Sequence, residues 1–416
     1  MKDFQKKVLQ KWIILSSSSN QGGAAIASKR LANLISKNKN FKVIFIYTNP
    51  NNQKNVKNLN KNIEVKYFPQ SLIKKKLGSL LTIILSRILG QSVSLLLFSN
   101  KTLLRYLNKQ ENAIINLHWI NNQSISFSDI KKIKHQIIWT CHDIWPINQS
   151  GCHYLPNKKL NFIQKIIYKS VKNLSKKQYK NFDYQKITFV SPSKWLLNFA
   201  SKSVKKNSKL IHIPNPLDEE LFKKSKSKFN KLINQTEKDY KIVFFPNPIY
   251  KVIKYRKGTD LIPKIIEELV KLNSKIILIL IETDLKKIIK IKKNNLIFYK
   301  LPYIKEVKDM SFLIRSSNLT AITSRIENLP QVVVESQALG NPVVTFNTSG
   351  IVEAYNPKKS GISVAPYDCK VFAKSIIEIT SNPEKEKLFS KNAIDFCENI
   401  FNPEKIKTKY QNILNN

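Results

Sequence analysis

The segment SRIENLPQVVVESQALGNPVV, residues 324–344, contains two of the 28 acidic residues of a chain that has 71 basic ones. The apolar run LTAITS that leads into it is typical of a buried strand. Pro330 suits the first turn of a helix, and Gly340 suits the left-handed residue at which a helix ends. The sequence therefore predicts a strand, a loop that carries Glu327, and a helix that carries Glu335.

The two glutamates are predicted to face a ligand. In an open parallel sheet, ligands bind at the carboxyl ends of the strands, which places Glu327 in the binding crevice beside the first amides of the helix. Glu335 follows Gln331 by four residues on the same helix face, where a carboxylate can accept two hydrogen bonds from ribose hydroxyls. A solvated helix glutamate is the alternative for Glu335. Phosphate or sugar oxygens are expected to face the helix start, at Asn328, Leu329 and Pro330.

Strand and helix patterns alternate along both halves of the chain. The first half contains WIILSSSS, a helical segment and KVIFIYTN, and the second half repeats this order with KIVFFPN, TDLIPKIIEELVKL and KIILILIE. Continuous apolar strands separated by amphipathic helices predict buried parallel sheets. The expected fold class is α/β, with two doubly wound, Rossmann-like parallel-sheet domains. The expected bounds are 1–216 for the N-terminal domain, 217–240 for a linker, 241–395 for the C-terminal domain and 396–416 for a C-terminal helix.

Glycine is scarce, with nine in 416 residues, so individual glycines indicate steric requirements. Gly22 and Gly23 lie between the strand WIILSSSS and the next helix, where backbone amides can bind an anion. A simple tight turn is the alternative. Gly258 stands at the equivalent place in the second half, after Arg256 and Lys257. Two cations and a glycine before a helix suit a diphosphate, and a basic loop without a ligand is the alternative.

The formal net charge of +43 is compatible with nucleic-acid binding. The lysines are spread over many segments, however, which favours solvated basic faces that attract anionic membranes and phosphorylated ligands. Four cysteines without a CxxC pair predict neither a disulfide framework nor a zinc site. The apolar part of the amino terminus is too short for a signal sequence, so a cytoplasmic protein is expected.

Residues 71–98 are the most apolar part of the chain, but Lys74 to Lys76, Arg87 and Gly90 interrupt them. The stretch has no charge-free run of about 18 apolar residues, which disfavours a membrane-spanning helix. Two alternatives remain, a basic amphipathic helix that lies on a bilayer and a buried core helix.

The spacing of Glu327 and Glu335 resembles the E-x7-E signature of the retaining glycosyltransferases of family 4, which have the GT-B fold. This resemblance runs over nearly the whole chain. It implies that Glu335 holds the donor ribose and that Glu327 contacts the transferred sugar. RKGTDLI is similar to the family's KG segment, which gives Lys257 the contact with the donor diphosphate. A second cation would be Lys251 or Arg256.

The amino-terminal half also resembles the family. GGAAIASKRLANLI looks like its glycine-rich first loop, with Gly23 on the donor side and Gly22 on the acceptor side. INLHW and IWTCHDIWPINQSGCHY resemble a subgroup that builds exopolysaccharide and surface-polysaccharide repeats. This match implies that His142 is the active-site histidine against the donor sugar, and a hydrogen-bonded strand-end histidine is the alternative. The acceptor side would be lined by His118, Asp143 and Trp145. The cysteines that often follow GCHY in the subgroup are missing, which weakens a metal role for Cys152 and His153.

The resemblance implies a glycosyltransferase that moves a hexose-type sugar, with retention, from a nucleotide-diphosphate donor to a saccharide acceptor in a cleft between the two domains. The acceptor is expected to be lipid-linked. No cofactor or metal is expected, because Lys257, its neighbouring cation and helix amides can neutralise the diphosphate. Expected partners are the donor, the acceptor and an anionic membrane surface on the inner face of the membrane, without a specific nucleic acid. The alternatives are a nucleotide-sugar 2-epimerase on the same fold and a basic nucleic-acid-binding protein.

Overall fold

The computed structural model describes residues 9–19, 22–49, 56, 58–148, 150–154, 160–180, 182–203, 208–234, 239–249 and 254–414. The chain divides into two units. The first is formed by Met1–Pro216 and Ile406–Asn416, and the second is formed by Leu217–Lys405.

The first unit is built on a seven-stranded sheet. Its strands are β1 (Gln10–Ser18), β2 (Phe41–Asn49), β3 (Glu64–Tyr67), β4 (Ala113–Leu117), β5 (Gln136–Thr140), β6 (Ile187–Ser191) and β7 (Lys209–His212). The order is β3-β2-β1-β4-β5-β6-β7, and every neighbouring pair is parallel. The helices along this part of the chain are α1 (Gly23–Ser36), α2 (Leu72–Leu89), α3 (Lys101–Asn108), α4 (Phe127–Ile130), α5 (Trp145–Asn148), α6 (Phe162–Tyr179) and α7 (Lys194–Ser203).

The second unit repeats this architecture. Its helices are α8 (Asn230–Asn234), α9 (Lys254–Lys257), α10 (Ile262–Lys271), α11 (Val307–Ser316), α12 (Gln331–Ala338), α13 (Cys369–Thr380) and α14 (Pro383–Ile400). Its strands are β8 (Lys241–Ile249), β9 (Ile276–Glu282), β10 (Ile289–Lys293), β11 (Leu296–Leu301), β12 (Leu319–Ile322), β13 (Val343–Phe346) and β14 (Gly361–Val364). The order is β10-β11-β9-β8-β12-β13-β14, and only the β10–β11 pair is antiparallel among these strands. The two sheets confirm the predicted α/β class.

The strand orders create one topological switch point in each unit. In the first unit β1 lies between β2 and β4, and in the second unit β8 lies between β9 and β12. Chain connections leave the sheet in opposite directions at such a point, which opens a crevice at the carboxyl ends of the two central strands. The loops that follow β1, β4, β8 and β12 therefore have the positions in which a ligand is expected.

Both sheets are buried on their two faces, as the continuous apolar strands predict. In β1, the residues from Trp12 to Leu15 have no exposed surface. The short edge strand β10 escaped prediction because its sequence, IKIKK, has exposed lysines and pairs with one neighbour only. A polar edge strand does not show the apolar run by which a buried strand is recognised.

The ends of the units differ from the expected bounds. Residues 217–240, expected as a linker, lie in the second unit, where Phe229 is buried and the Ser227 hydroxyl donates to Asp309 at 2.7 Å. The expected helix over 396–416 is instead the end of α14 followed by α15 (Pro403–Asn412). Tyr410 of α15 is buried in the first unit against Trp12, which gives this helix an apolar contact worth about 1.5–3 kcal/mol.

Helix α2 covers most of the segment for which a membrane-surface helix and a core helix were the alternatives. Its side chains are mostly exposed, and only Gly78 and Leu89 are buried. Leu72 and Ile73 expose 73% and 71% of their surface, so the start of the helix is not part of a core. Its end is, because Leu89 is buried in a small apolar cluster with Val93 and Val171. Within the described ranges, none of the helices has the length and apolar character needed to cross a bilayer.

Candidate active site

Glu327 is the centre of a charged cluster in the loop after β12. Its carboxylate accepts from the Lys257 ammonium at 2.6 Å, from the Arg256 guanidinium at 3.4 Å and from the Ser324 hydroxyl at 3.0 Å. The Glu327 amide donates to the Ser349 hydroxyl at 2.9 Å. Glu327 exposes only 8% of its surface, so a buried carboxylate is held by two cations and one hydroxyl.

The charges around Glu327 determine its protonation. Burial alone raises the pKa of a carboxyl, but the positive charges of Lys257 and Arg256 and the hydrogen bonds from Lys257 and Ser324 outweigh it. The pKa of Glu327 therefore lies below its ordinary value, and the group is an anion at neutral pH. An anion held by two cations can accept hydrogen bonds from sugar hydroxyls and is a weak nucleophile.

The loop after β8 is locked against the end of β12. Gly258 has φ +62°, and a Cβ atom there would lie 1.8 Å from the backbone oxygen of Thr323. The backbone oxygen of Lys257 accepts from the Thr323 hydroxyl at 3.1 Å and from the Asn247 amide at 3.2 Å. Only glycine permits this approach, which brings the cations of one loop to the carboxylate of the other.

A second ion pair, which sequence reasoning missed, braces the same loops. Arg325 donates to the two oxygens of Asp260 at 2.6 and 2.8 Å and to the backbone oxygen of Tyr255 at 2.7 Å. Its guanidinium lies 4.3 Å from the ring centroid of Tyr255 and 5.1 Å from that of Tyr367. The hydrogen bonds from Arg325 hold the pKa of Asp260 below its ordinary value. The available signal was Asp260 itself, a scarce acid two residues after Gly258.

Helix α12 begins directly after this cluster. Pro330 precedes its first residue, Gln331, and Asn328 and Leu329 are buried in the loop before it. Glu335 is 8% exposed and lies one turn into the helix, about 6 Å along the axis from Gln331. Of the donor-side residues expected from the sequence, Asn328, Leu329, Pro330 and Glu335 thus lie on the loop after β12 and on α12. Lys257 lies in the segment after β8, and Gly23 lies in the first unit. Lys251 lies outside the described residues, while Arg256 is at the cluster.

The glycine pair follows β1 at the switch point of the first unit. Gly22 has φ +87° and precedes α1, whose first residue is Gly23. No heavy atom lies within 4 Å of a Cβ built at either position. The backbone at Gly22 and Gly23 is therefore accessible from the side on which a Cβ atom would lie, as close approach of a ligand to the helix start requires.

Two histidines lie together at the ends of β4 and β5. His118 Nδ1 and His142 Nε2 are 3.1 Å apart, and the ring centroids are 5.3 Å apart. Burial lowers the pKa of His142 to about 4, and burial followed by the charge of His142 lowers the pKa of His118 well below its ordinary value. Both imidazoles are neutral at pH 7, so each can donate and accept one hydrogen bond.

The other two residues expected on the acceptor side, Asp143 and Trp145, are both buried. Trp145 is 2% exposed, and its ring packs at 5.6 Å from Trp139 and 6.1 Å from Phe127 in the core of the first unit. Asp143 is also buried, and its carboxylate accepts from the Trp145 amide at 3.1 Å and contacts His153 at 3.0 Å. The sequence around Trp145 does not show whether its ring faces a ligand or the core.

Comparison with known proteins finds a family model that matches most of the second unit. Residues 227–396 match the model of Glycosyl transferases group 1. The match covers 170 of the 416 residues of this chain. An uncharacterized glycosyltransferase of Haemophilus influenzae is 32% identical over 83 residues, which are 20% of this chain and 24% of that protein. The chain spans between 19% and 58% of the length of the curated relatives that it matches.

Solved structures extend the likeness to the whole chain at the level of the fold. Sucrose-phosphate synthase from Thermosynechococcus elongatus superposes with a TM-score of 0.69 at 14% identity, covering 98% of each chain. Anabaena HepE, solved in complex with UDP-glucose, superposes with a TM-score of 0.66 at 16% identity, covering 97% of this chain and 99% of HepE. The predicted GT-B fold is confirmed.

Proposed function

We propose that the protein is a glycosyltransferase that moves a hexose-type sugar from a nucleotide-diphosphate donor to a lipid-linked saccharide acceptor, in the synthesis of a surface polysaccharide. The observation that supports this function best is the cluster of Glu327, Lys257 and Arg256 at the switch point of the second unit. It combines cations for a diphosphate with a carboxylate for sugar hydroxyls. HepE, which has the same fold, was solved with UDP-glucose.

The chemistry follows from these charges. The diphosphate that leaves the sugar carries negative charge, which Lys257, Arg256 and the first amides of α12 neutralise, so the proposed transfer needs no metal. Glu327 is a poor covalent nucleophile because two cations hold its charge. We therefore propose retention by attack on the face that the phosphate leaves. In this mechanism the neutral imidazole of His142 contacts the transferred sugar.

Donor binding is the direct test. Glu335→Gln keeps the size of the side chain but loses charge-assisted hydrogen bonds to ribose, each worth about 1.5–3 kcal/mol. The ligand is the nucleotide sugar that stabilises the wild type most in a thermal-shift screen. We expect the affinity of the Glu335→Gln variant for this ligand to fall at least about tenfold, with the fold intact. Glu267→Gln, an exposed glutamate of α10, is the control and should bind as the wild type does. Unchanged affinity of the Glu335 variant would remove this residue from the ribose site.

The products distinguish the two enzyme classes. Incubation with donor and a saccharide acceptor should give a glycoside with the anomeric configuration of the donor, which NMR of the product measures. Incubation with donor alone should not give an epimerised nucleotide sugar. Epimerisation without an acceptor would instead identify a 2-epimerase.

A lipid-linked acceptor requires a protein that reaches the bilayer, and α2 with the start of α6 offers a surface of suitable chemistry. Leu72 and Ile73 of α2 and Phe162 and Ile163 of α6 expose 65–78% of their surface. Exposed lysines on the same helices include Lys74, Lys76, Lys165 and Lys169. Apolar side chains that enter the interface and cations that meet acidic headgroups are typical of helices that lie on anionic membranes.

We expect the protein to co-sediment with anionic vesicles and to lose affinity by about 2 kcal/mol, roughly thirtyfold, when Lys74 and Lys76 are changed to glutamine. Lys75 is left unchanged because its ammonium donates to Asn49. The matched control changes two exposed lysines of the second unit, Lys286 and Lys287, to glutamine. Equal losses in both double variants would show that diffuse charge, and not this surface, binds the vesicles.

A further inference from the structure

The first unit contains a buried chain of three polar side chains that the proposed transfer reaction does not use. Asp143 Oδ2 lies 3.0 Å from His153 Nδ1, and His153 Nε2 lies 2.6 Å from the Ser94 hydroxyl oxygen. Their side chains come from three separate loops, and each residue exposes 8% of its surface or less. Ordering three polar side chains in the protein interior is costly unless they satisfy one another or a ligand.

The backbone holds this chain in place. Residues 92–94 and 151–153 run antiparallel, with the Ser94 amide donating to the Gly151 oxygen at 2.7 Å and the His153 amide donating to the Ser92 oxygen at 3.0 Å. The edge of Trp119 packs on the His153 imidazole, with ring centroids 4.9 Å apart and planes at 79°. The imidazole therefore has one orientation, and both of its nitrogens have fixed neighbours.

The hydrogen-bond donors and acceptors follow from this geometry. A carboxylate only accepts, so the proton that faces Asp143 is carried by His153 Nδ1. The Nδ2 amide group of Asn121, which only donates, lies 3.4 Å from His153 Nε2, so Nε2 accepts. The Ser94 hydroxyl then donates its single proton to Nε2. Its two lone pairs are left as acceptors.

These acceptors face a cavity of about 110 Å³. Ser94, Asn121 and His153 line its polar side, and Trp119 and Leu95 are among its apolar lining. The Asn121 Oδ1 atom is buried and has no hydrogen-bond partner among the described residues. The Gln123 side chain, which also lines the cavity, is already bonded to the backbone of Leu95 and Leu97. The Ser94 and Asn121 oxygens are thus two acceptors that line this cavity.

We propose that this cavity, which we call the Ser94 pocket, binds a hydroxyl-bearing group of a saccharide. A sugar hydroxyl would donate to Ser94 or Asn121, while the Trp119 ring covers the apolar face of the sugar. In the reaction proposed above, this saccharide is the acceptor, and the inference rests on that function only for the identity of the ligand. An O-methylated sugar has no proton to donate and adds a methyl group, so the pocket should reject it.

Binding can be tested without any transfer reaction. The chain has five histidines, and His153→Gln assigns the His153 signal in an NMR spectrum of imidazole nitrogens. We expect methyl glycosides of hexoses to shift this signal with saturation at millimolar concentration, and the per-O-methylated sugars to leave it unchanged. Ser94→Ala should weaken the response at least about tenfold, since one hydrogen bond and its geometry are lost.

Ser92→Ala is the matched control, because Ser92 is an exposed serine two residues away. Its response should equal that of the wild type. If Ser94→Ala does not fold, Asn121→Leu removes the other acceptor and should weaken the response in the same way. Three results would contradict the proposal that the Ser94 pocket binds a sugar. They are the absence of a shift, an equal response to the methylated sugars, and an unchanged response of the Ser94 or Asn121 variant.

Kinetics separate this inference from the proposed function. With an active acceptor, Ser94→Ala should raise the acceptor KM about tenfold and leave the donor KM unchanged. Transfer with an unchanged acceptor KM would overturn the acceptor role of the pocket and leave the glycosyltransferase function standing. A sugar could instead shift the His153 signal while no acceptor is glycosylated. This result would count against the glycosyltransferase function but would still support sugar binding in the Ser94 pocket.

Discussion

Gly258→Ala is expected to destabilise the protein by about 2–5 kcal/mol. An alanine in the left-handed conformation of Gly258 costs about 1–2 kcal/mol, and overpacking adds about 1–3 kcal/mol. The overpacking arises because the new Cβ would lie 1.8 Å from the backbone oxygen of Thr323, and neither loop can relieve the contact by turning a side chain. Denaturant unfolding followed by circular dichroism of the full chain measures this loss. The displaced Thr323 leads into the loop of Glu327, so donor binding should be lost as well.

Gly90→Ala provides the control for backbone conformation alone. Gly90 has φ +64°, nearly the same as Gly258, but no heavy atom lies within 4 Å of its Cβ position. We expect this variant to lose only about 1–2 kcal/mol and to bind the donor as the wild type does. Equal destabilisation of the two variants would show that the contact between the loops does not matter and that the strain is only local.

The buried strands and the charged loops of the second unit could be predicted from sequence for one physical reason. A strand covered on both faces must be apolar throughout, and a ligand loop at its carboxyl end must break that pattern. Glu327 and Gly258 could be singled out in the sequence because the chain has only 28 acidic residues and nine glycines.

What escaped prediction depends on contacts between residues far apart in the chain. Arg325 is one of 71 basic residues, and only the folded loops show that it pairs with Asp260. Similarly, α15 follows the second unit in sequence but packs through Tyr410 on Trp12 of the first. The burial of Trp145 also depends on tertiary contacts, because its ring packs against Phe127 and Trp139.

Glu327→Gln should have opposite effects on stability and on anion binding. The variant keeps the size of the side chain but leaves the cations of Lys257 and Arg256 without their carboxylate, and breaking a buried ion pair in this way costs about 3–5 kcal/mol. The same two cations then attract a diphosphate more strongly. We expect affinity for pyrophosphate, measured by calorimetry, to rise about tenfold, while transfer is lost because the sugar has no charged acceptor for its hydroxyls.

The pH dependence of stability gives an independent check on the same carboxylate. Because the pKa of Glu327 lies below its ordinary value of 4.5, the unfolded chain takes up this proton before the folded protein does. The stabilisation is therefore complete above about pH 4.5 and is lost as the pH falls through the folded pKa. The Glu327→Gln variant should not show the loss of folding stability at low pH that comes from protonation of Glu327. The control, Asp260→Asn, removes the partner of Arg325. It should still show that loss of stability, and it should not raise the affinity for pyrophosphate to the same extent. A Gln variant with wild-type acid dependence and unchanged pyrophosphate binding would mean that Glu327 does not hold the two cations, and the proposed diphosphate site would lose its central residue.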